Sequence, residues 1–345
     1  MKKLAALFLS ALLLLTGCGA VQATEQTMAP ISGDALLVHY IDVGQADCAL
    51  LENGGEYLLI DGGNVADGSL VVSYLEQMGV EELKAVICTH AHEDHVGGLA
   101  SVLAVYPTET VYAPTKTYSS RCFDDFLYYV DQQGLEVTIP EPGDQFSLGE
   151  AEVTILGPVK SYPETNNTSI VAKVVYGSTS FLFTGDMEKE AEADLLDYGM
   201  DVSADVLKVG HHGSNTSTTY RFLKAVDPTY GVISCGRDNS YGHPHEEPMS
   251  RLRQAGVVLF RTDEMGTVVA VSDGSQIRFT WANQNANPEQ AEPAQETRYI
   301  GNRKSQIYHT PDCRNLPKEE NRVTFASIEE AEKAGFTPCK NCLGG

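Results

Sequence analysis

The sequence has no apolar run long enough to cross a bilayer. Its longest, residues 4–15, is about twelve residues, whereas ~30 Å of hydrocarbon needs a span of about 20. There is no internal repeat, which excludes repeat architectures. Basic residues are scarce: 24 Lys and Arg stand against 47 Asp and Glu, a formal net charge of −23. Overall charge therefore does not draw a polyanion to the chain, and local attraction has to come from metals or from a less acidic segment. The last 48 residues are such a segment, with eight Lys/Arg against six Asp/Glu, a net of +2 that leaves −25 on the preceding 297. No Ser-His-Asp or Cys-His arrangement stands out as a nucleophile with its base. What remains is an ordinary folded composition, 42% hydrophobic and 8% aromatic over 345 residues, enough for one large core and a small satellite module.

Lys2 and Lys3 before the apolar run have the form of a secretory leader. Leu15-Thr16-Gly17-Cys18 resembles the bacterial lipobox. It predicts a signal peptide over 1–17, lipidation of Cys18, a tether over 18–34 rich in Gly, Ala, Thr, Gln and Pro, and a mature chain anchored to the extracellular face of the cytoplasmic membrane. An ordinary signal peptide cut near Ala20 or Ala23 is the alternative. Cys48 and Cys88 fall in apolar strand-like segments and read as small buried hydrophobes. Cys122 and Cys235 carry no informative spacing, and the pairing of these four stays open.

Short strands are expected at 36–41, 49–51 and 57–60, then a helix through Val71, Tyr74, Leu75 and Met78 that Gly79 stops, and a strand at 84–88. A helix follows over 97–105. Residues 106–158 alternate strand-like and helix-like pieces, with Phe123, Phe126, Leu127 and Val130 on one helical face. A second run of strands is expected at 169–176, 181–184, 206–209, 231–234, 257–260, 267–271 and 276–280, with helices at 188–198, 218–226 and 246–256. Two such halves of sheet with flanking helices predict an α/β chain folded as a four-layer αββα sandwich over 35–282. Residues 283–297 read as a linker. The module at 298–345 is too small for a core alone and needs a staple such as a metal.

His90, His92, Asp94 and His95 fall within six residues at the end of the 84–88 strand. Imidazole and carboxylate ligands suit zinc, manganese or iron, and a loop leaving a strand turns alternate side chains toward one point. Gly97-Gly98 lets backbone approach the site closely. A chance cluster of solvated histidines is the bland alternative.

The region 35–282 resembles the metallo-β-lactamase superfamily, in particular its ComEC-like branch. The matching stretches are Ile41-Asp42-Val43-Gly44-Gln45-Ala46-Asp47, Ile60-Asp61-Gly62-Gly63, residues 89–98, Asn166-Asn167-Thr168-Ser169, Phe183-Thr184-Gly185-Asp186, residues 208–214 and Tyr241-Gly242-His243-Pro244. The resemblance implies two divalent ions, zinc or manganese: His90 and His92 hold the first, Asp94 and His95 the second, and Asp186 bridges them. It also implies one further ligand from His211-His212. Adjacent residues on an extended chain point opposite ways, so one of the pair is expected to ligate. His212 is the favoured ligand, with His211 left to the substrate or to outer-sphere support. No His lies between His95 and His211, so the first site lacks the superfamily's further histidine and is expected to be open. Two such cations make hydroxide available at neutral pH, a nucleophile that needs no side chain. Asp47 and His243 are candidates for outer-sphere orientation or for proton transfer to the leaving group, with a turn role as the alternative for each. His39 and His245 read as structural.

His309, Cys313, Cys339 and Cys342 form H-x₃-C and C-x₂-C pairs separated by 25 residues, a Cys₃His set for a structural zinc. A Cys339–Cys342 disulfide is the rival. Residues 299–343 resemble the zinc-binding domain of the Ada DNA-repair protein, in which the first of four cysteines accepts a methyl group. Here His309 holds that position, and an imidazole is not a thiolate nucleophile. A mildly basic, zinc-stapled scaffold is what the resemblance leaves, able to touch nucleic-acid phosphates or to dock on the cell wall. The combined expectation is an extracellular metal-dependent phosphodiester hydrolase, a nuclease with DNA favoured over RNA. The alternatives are a phosphodiesterase on envelope polymers of the teichoic-acid phosphorylcholine type and a non-catalytic DNA-uptake lipoprotein; a β-lactamase or thioesterase fits the motifs less well. No protein partner follows from the sequence.

Overall fold

The computed structural model describes residues 35–289, 299–310, 313–326, 328–340 and 342–343. The expected signal peptide, lipidated Cys18, tether and the last part of the linker lie outside the described residues.

Six strands come first: β1 (Leu36–Tyr40), β2 (Ala49–Asn53), β3 (Glu56–Ile60), β4 (Leu83–Ile87), β5 (Thr108–Tyr112) and β6 (Val137–Thr138). Seven follow: β7 (Gln145–Leu148), β8 (Ala151–Gly157), β9 (Val171–Tyr176), β10 (Thr179–Phe183), β11 (Val206–Lys208), β12 (Tyr230–Ile233) and β13 (Val258–Arg261). The domain closes with β14 (Val268–Ser272) and β15 (Ile277–Trp281). One sheet runs β15-β14-β1-β2-β3-β4-β5-β6 and the other β13-β12-β11-β10-β9-β8-β7. The last two strands thus return to the first sheet, where β14 lies antiparallel to β1 with Leu36 opposite Ser272. Reading the strands at 267–280 as part of a second half-sheet is corrected here. Pairing across more than 200 residues leaves no local trace in a sequence.

Apolar residues are buried in three layers. Leu51, Leu58, Ile87, Phe181 and Phe183 fill the space between the sheets. Val71, Leu75, Phe123, Phe126 and Val130 pack the first sheet against the helices Gly68–Gln77, Leu99–Leu103 and Arg121–Gln132. Leu182, Leu195, Phe222 and Leu252 pack the second sheet against Lys189–Tyr198, Tyr220–Val226 and Glu246–Gln254. Alternation along one strand feeds two of these layers, as with Leu58 and Leu59, or Phe181 and Leu182. Strands covered on both faces therefore read as almost continuous apolar runs. The result is the expected αββα sandwich.

The helix expected over 97–105 is broken into Glu93–Val96 and Leu99–Leu103. At the break, Gly98 lies so close to the backbone of Gly62 that a Cβ on it would collide with the Gly62 carbonyl. Residues 283–289, read as linker, are tied to the domain: Asn283 N–H donates to Met265 O at 2.8 Å, and Glu289 bridges Leu259 of β13 through the backbone and accepts from Arg253. The C-terminal module is a small sheet of β16 (Tyr299–Asn302), β17 (Ile307–His309), β18 (Arg322–Phe325) and β19 (Thr337–Pro338), ordered β18-β16-β17-β19. Its apolar core is slight, centred on Tyr299, Tyr308, Phe325, Ile328 and Ala331.

Phe181 is fully buried between the sheets. Phe181→Ala is expected to lower stability by about 3–5 kcal/mol, seen as a fall in the urea midpoint at unchanged m-value; a loss under about 1 kcal/mol would contradict a close-packed inter-sheet layer.

Candidate active site

β3 and β4 are parallel neighbours, as are β10 and β11, so the loops leaving them open at strand carboxyl ends, where open α/β sheets place their sites. These four loops bring in Asp61, the 90–95 cluster, Asp186 and His211-His212. The first two are joined by Asp61. One carboxylate oxygen accepts the Thr89 N–H at 2.7 Å, and the other accepts the Thr89 hydroxyl at 2.7 Å and lies 2.7 Å from His95 Nδ1. Backbone bonds tighten the turn: Gly62 N–H to His95 O at 2.7 Å, Gly63 N–H to Asp47 O at 2.9 Å and Asp47 N–H to Asp94 O at 3.0 Å.

Asp186, 2% exposed, sits among imidazoles. Its oxygens lie 3.2 Å from His95 Nε2, 3.5 Å from His211 Nε2, 3.6 Å from His212 Nε2 and 4.0 Å from His90 Nε2. His212 Nε2 is also 3.3 Å from Asp94 Oδ2, and His90 Nε2 is 3.1 Å from His92 Nδ1. The structure therefore gathers Asp94, His95, Asp186 and His212 with ligand atoms within 4.8 Å of one another, and sets His90 and His92 beside them. Asp94, His92 and His211 are half-buried at the mouth, whereas His90, His95, Asp186 and His212 form the floor.

The donor set fits a metal. His95 Nε2, Asp186 Oδ1 and His212 Nε2 are buried without a hydrogen-bond partner, an arrangement that is costly for polar atoms unless a cation takes their lone pairs. The far nitrogens are occupied. With Asp61 ionised, His95 Nδ1–H donates to it, and His212 Nδ1–H donates to the Ser234 carbonyl at 3.0 Å, which leaves both Nε2 lone pairs facing inward.

The electrostatics agree. Burial disfavours the charged form of His95, but the Asp186 and Asp61 carboxylates outweigh it and raise its pKa well above the ordinary value. For His212, burial is outweighed by Asp186 and Asp47, and the pKa rises to about 10. Burial also works against Asp186 and Asp94, yet His95 and His212 hold Asp186 well below the carboxylate range and His212 holds Asp94 near about 2. Deeply buried His90 is pushed down by desolvation and then by His95. The cavity is an anionic hole that attracts positive charge, as protons or as metal.

Two expectations need a different physical basis. His211 and His212 are not extended: both have left-handed backbone, φ 51° and 53°, so alternation does not decide between them. Their environments do. His212 is buried in the four-residue cluster, while His211 turns Nδ1 to Thr216 Oγ1 at 3.0 Å and to Glu188 at 3.5 Å. Asp47 is buried beneath the site. It lies behind His212, 3.2 Å from its Nδ1, and pairs with the buried Lys208 at 2.8 Å; burial raises its pKa, but Lys208 and His212 bring it below the ordinary value. This placement suits outer-sphere orientation of His212 better than proton transfer to a leaving group. His243 does reach the mouth, its ring 5.7 Å from that of His211 and its Nδ1 3.2 Å from Gln45 Nε2. Its pKa falls to about 4 through burial and the neighbouring His212 and His211. His39 is a core residue on Tyr74, and His245 Nδ1 accepts the Asn215 N–H.

Asp61 and Lys208 were quoted only within the matching stretches and given no role, though each carried a signal: a charge at the end of an apolar strand, followed by Gly-Gly in one case and Val-Gly-His-His in the other. Ser169 lies beside the site, its hydroxyl 3.5 Å from His90 Nδ1 and accepting the Asp186 N–H at 3.1 Å. It positions Asp186. Cys48, Cys88, Cys122 and Cys235 are all free and buried. In the C-terminal module His309, Cys313, Cys339 and Cys342 bring their ligand atoms within 4.8 Å, and the three cysteines are unpaired, which favours zinc over the disulfide.

A profile of the metallo-beta-lactamase superfamily matches residues 41–237, and one of the metal binding domain of Ada matches residues 284–343. The chain is similar to ComE operon protein 3 of Bacillus subtilis (strain 168), 30% identical over 250 residues that make up 67% of this chain and 32% of that protein. It is also similar to competence protein ComA of Neisseria gonorrhoeae, 31% identical over 233 residues, 66% of this chain and 31% of that one. The chain spans about a third of the length of these curated relatives. The metallo-beta-lactamase fold protein YhfI from Bacillus subtilis aligns with a TM-score of 0.47 and 15% identity over 70% of this chain and 100% of that one.

Asp61→Asn offers an amide N–H where His95 Nδ1 now donates, so the imidazole proton moves to the inward Nε2. Metal affinity is expected to fall roughly 10- to 100-fold by competition with a chromogenic chelator; unchanged affinity would remove Asp61 from the design. Cys339→Ser is expected to lower zinc content by about one ion per chain in elemental analysis, since a structural site of this kind needs all four ligands. Retention of the parent content would exclude the zinc staple.

Proposed function

The chain belongs to the metallo-β-lactamase superfamily, a superfamily of metal-dependent hydrolases, and on that premise we propose that it hydrolyses phosphodiesters, with nucleic acid, DNA before RNA, as substrate. The observation that carries the reading is Asp186, a buried carboxylate between the His90/His92 pair and the Asp94/His95/His212 group. Residues so divided would hold two divalent cations, zinc or manganese, which would polarise a phosphoryl oxygen and bring the pKa of a water toward neutrality. Similarity to competence proteins supports nucleic acid as the polymer.

The other side chains have distinct tasks. Lys208 fixes Asp47, and Asp47 with the Ser234 carbonyl fixes the plane of His212. Asp61 does the same for His95. His211, at the mouth and held through Nδ1 by Thr216, is placed to meet the substrate phosphate or to give a proton to the leaving oxygen. His243, whose pKa burial and then the neighbouring His212 and His211 lower to about 4, is suited to orient by hydrogen bonding.

The net charge of −23 favours a second reading, a phosphodiesterase on a less charged envelope polymer. Metal-loaded protein is expected to cleave single-stranded DNA and bis-p-nitrophenyl phosphate, and the Asp94→Ala/His95→Ala double variant to cleave neither above background. Hydrolysis of the small diester with DNA and RNA left intact would move the function to envelope polymers. DNA binding without hydrolysis of any diester by the parent would reduce the chain to a binding protein.

A further inference from the structure

The loop between β12 and the helix Glu246–Gln254 presents an aromatic ring at the rim of the site. Tyr241 is 67% exposed, the most exposed large apolar side chain among the described residues. Its loop is nonetheless latched. Asn239 Oδ1 accepts the N–H groups of Tyr241 at 3.1 Å and His243 at 3.0 Å, and Asn239 Nδ2 donates to the carbonyls of Gly236 at 2.9 Å and His243 at 2.6 Å. Gln45 ties the loop to the core, with Oε1 accepting the Gly236 N–H at 3.0 Å and Nε2 on His243 Nδ1. Gly236 passes so close to the Gln45 backbone that any Cβ there would collide with it.

The rings form a series. Tyr241 stacks on His243 with centroids 5.6 Å apart and planes at 21°, and His243 faces His212 at 6.2 Å and 23°. Three nearly parallel rings thus lead outward from an expected metal ligand, and the outermost is open to water. A flat apolar ring presented to solvent from a latched loop, at the edge of a site for phosphodiesters, is completed by a second flat ring laid over it.

We propose that Tyr241 is a base-stacking platform: the nucleobase flanking the scissile phosphate lies on its ring, which makes unpaired, single-stranded nucleic acid the preferred substrate. The proposal rests on the nuclease reading above. Bases in a duplex are already stacked on their neighbours and gain little from the ring, whereas an unpaired base gains the full contact, independently of sequence. A sugar or polyol phosphate polymer offers no ring to stack. A quaternary ammonium is bound by a cage of several aromatic faces, and a single open face is not a cage. Stacking is also indifferent to the acidic charge of the body, which opposes recognition through phosphates alone.

The test uses the full metal-loaded chain on a thymidine oligonucleotide, the same strand with abasic tetrahydrofuran units in place of the bases, the thymidine strand in duplex, and bis-p-nitrophenyl phosphate. The parent should favour the thymidine strand over both the abasic strand and the duplex. Tyr241→Ala should lower kcat/KM on the thymidine strand about 5- to 150-fold, mostly through KM, and bring the thymidine-to-abasic ratio close to one, while Tyr241→Phe and Tyr241→Trp restore it. A Tyr241→Ala protein that keeps the parent's ratio overturns the platform and leaves the nuclease reading standing. Should the parent hydrolyse the small diester but neither strand, the nuclease reading fails and the platform fails with it.

Discussion

A carboxylate that is both ionised and buried has to be answered by positive charge, and Asp186 sets that requirement for the whole molecule. Around it lie His90, His95, His211 and His212, and beyond them three more carboxylates, Asp47, Asp61 and Asp94, with Lys208 as the one buried lysine that pairs directly with this group. Isolated burial of so many anions is prohibitive, and desolvation alone would neutralise them. Instead the carboxylates raise the basicity of His95 and His212, so that protons hold the cavity together when no metal does. Divalent cations do the same task with two charges each. Metal binding and the integrity of this end of the fold are therefore one electrostatic problem, with protons and metals competing for the same lone pairs.

That requirement explains the architecture above the core. A hole lined by anions has to be assembled from elements too stiff to relax away from it, and the parallel pairs β3/β4 and β10/β11 supply such elements at their carboxyl ends. Each loop is also pinned by a neighbour: Asp61 from β3 holds Thr89 and His95 after β4, Ser169 holds the Asp186 backbone, and Gln45 holds the loop that carries His243. Gly98 allows the Gly62 backbone to lie against the start of the following helix, so the ligand loop and its support share a common wall. The C-terminal module solves a smaller problem differently. Its apolar core is slight for four short strands, and four ligand side chains brought within 4.8 Å could supply a metal cross-link in place of the missing burial.

Much of this was legible in the sequence, for identifiable reasons. His90, His92, Asp94 and His95 are a local cluster, and a ligand set on one loop needs no knowledge of the fold. Most helices and strands followed from periodicity, because layers covered on both faces leave long apolar runs. What was not legible depended on distance or on local backbone. The return of β14 to β1 joins residues more than 200 apart. The choice between His211 and His212 was argued from an extended chain, while the actual left-handed turn gives each ring its own direction. Asp47 was read as a possible proton donor because its partner Lys208 lies 161 residues away, on β11, and only the folded sheet brings them together. Tyr241 stood in the matching stretch Tyr241-Gly242-His243-Pro244 but without a role, since exposure is a property of the folded surface and not of the residue type.

Charge and shape together limit how such a site recognises a polymer. With −25 on the first 297 residues, long-range attraction to phosphates is weak or opposed, and affinity has to arise within contact distance. Two sources are present at the mouth: an anionic cavity that binds cations, and an exposed aromatic ring one stacking distance beyond His243. Cations screen the repulsion only where the reacting phosphate sits, so neighbouring phosphates of a rigid duplex would still face the acidic surface. A flexible single strand can turn one phosphate inward, lay the adjacent base on the ring and lead its remaining charges away. On the proposed nuclease reading, the acidity of the body argues against duplexes before it argues against unpaired strands.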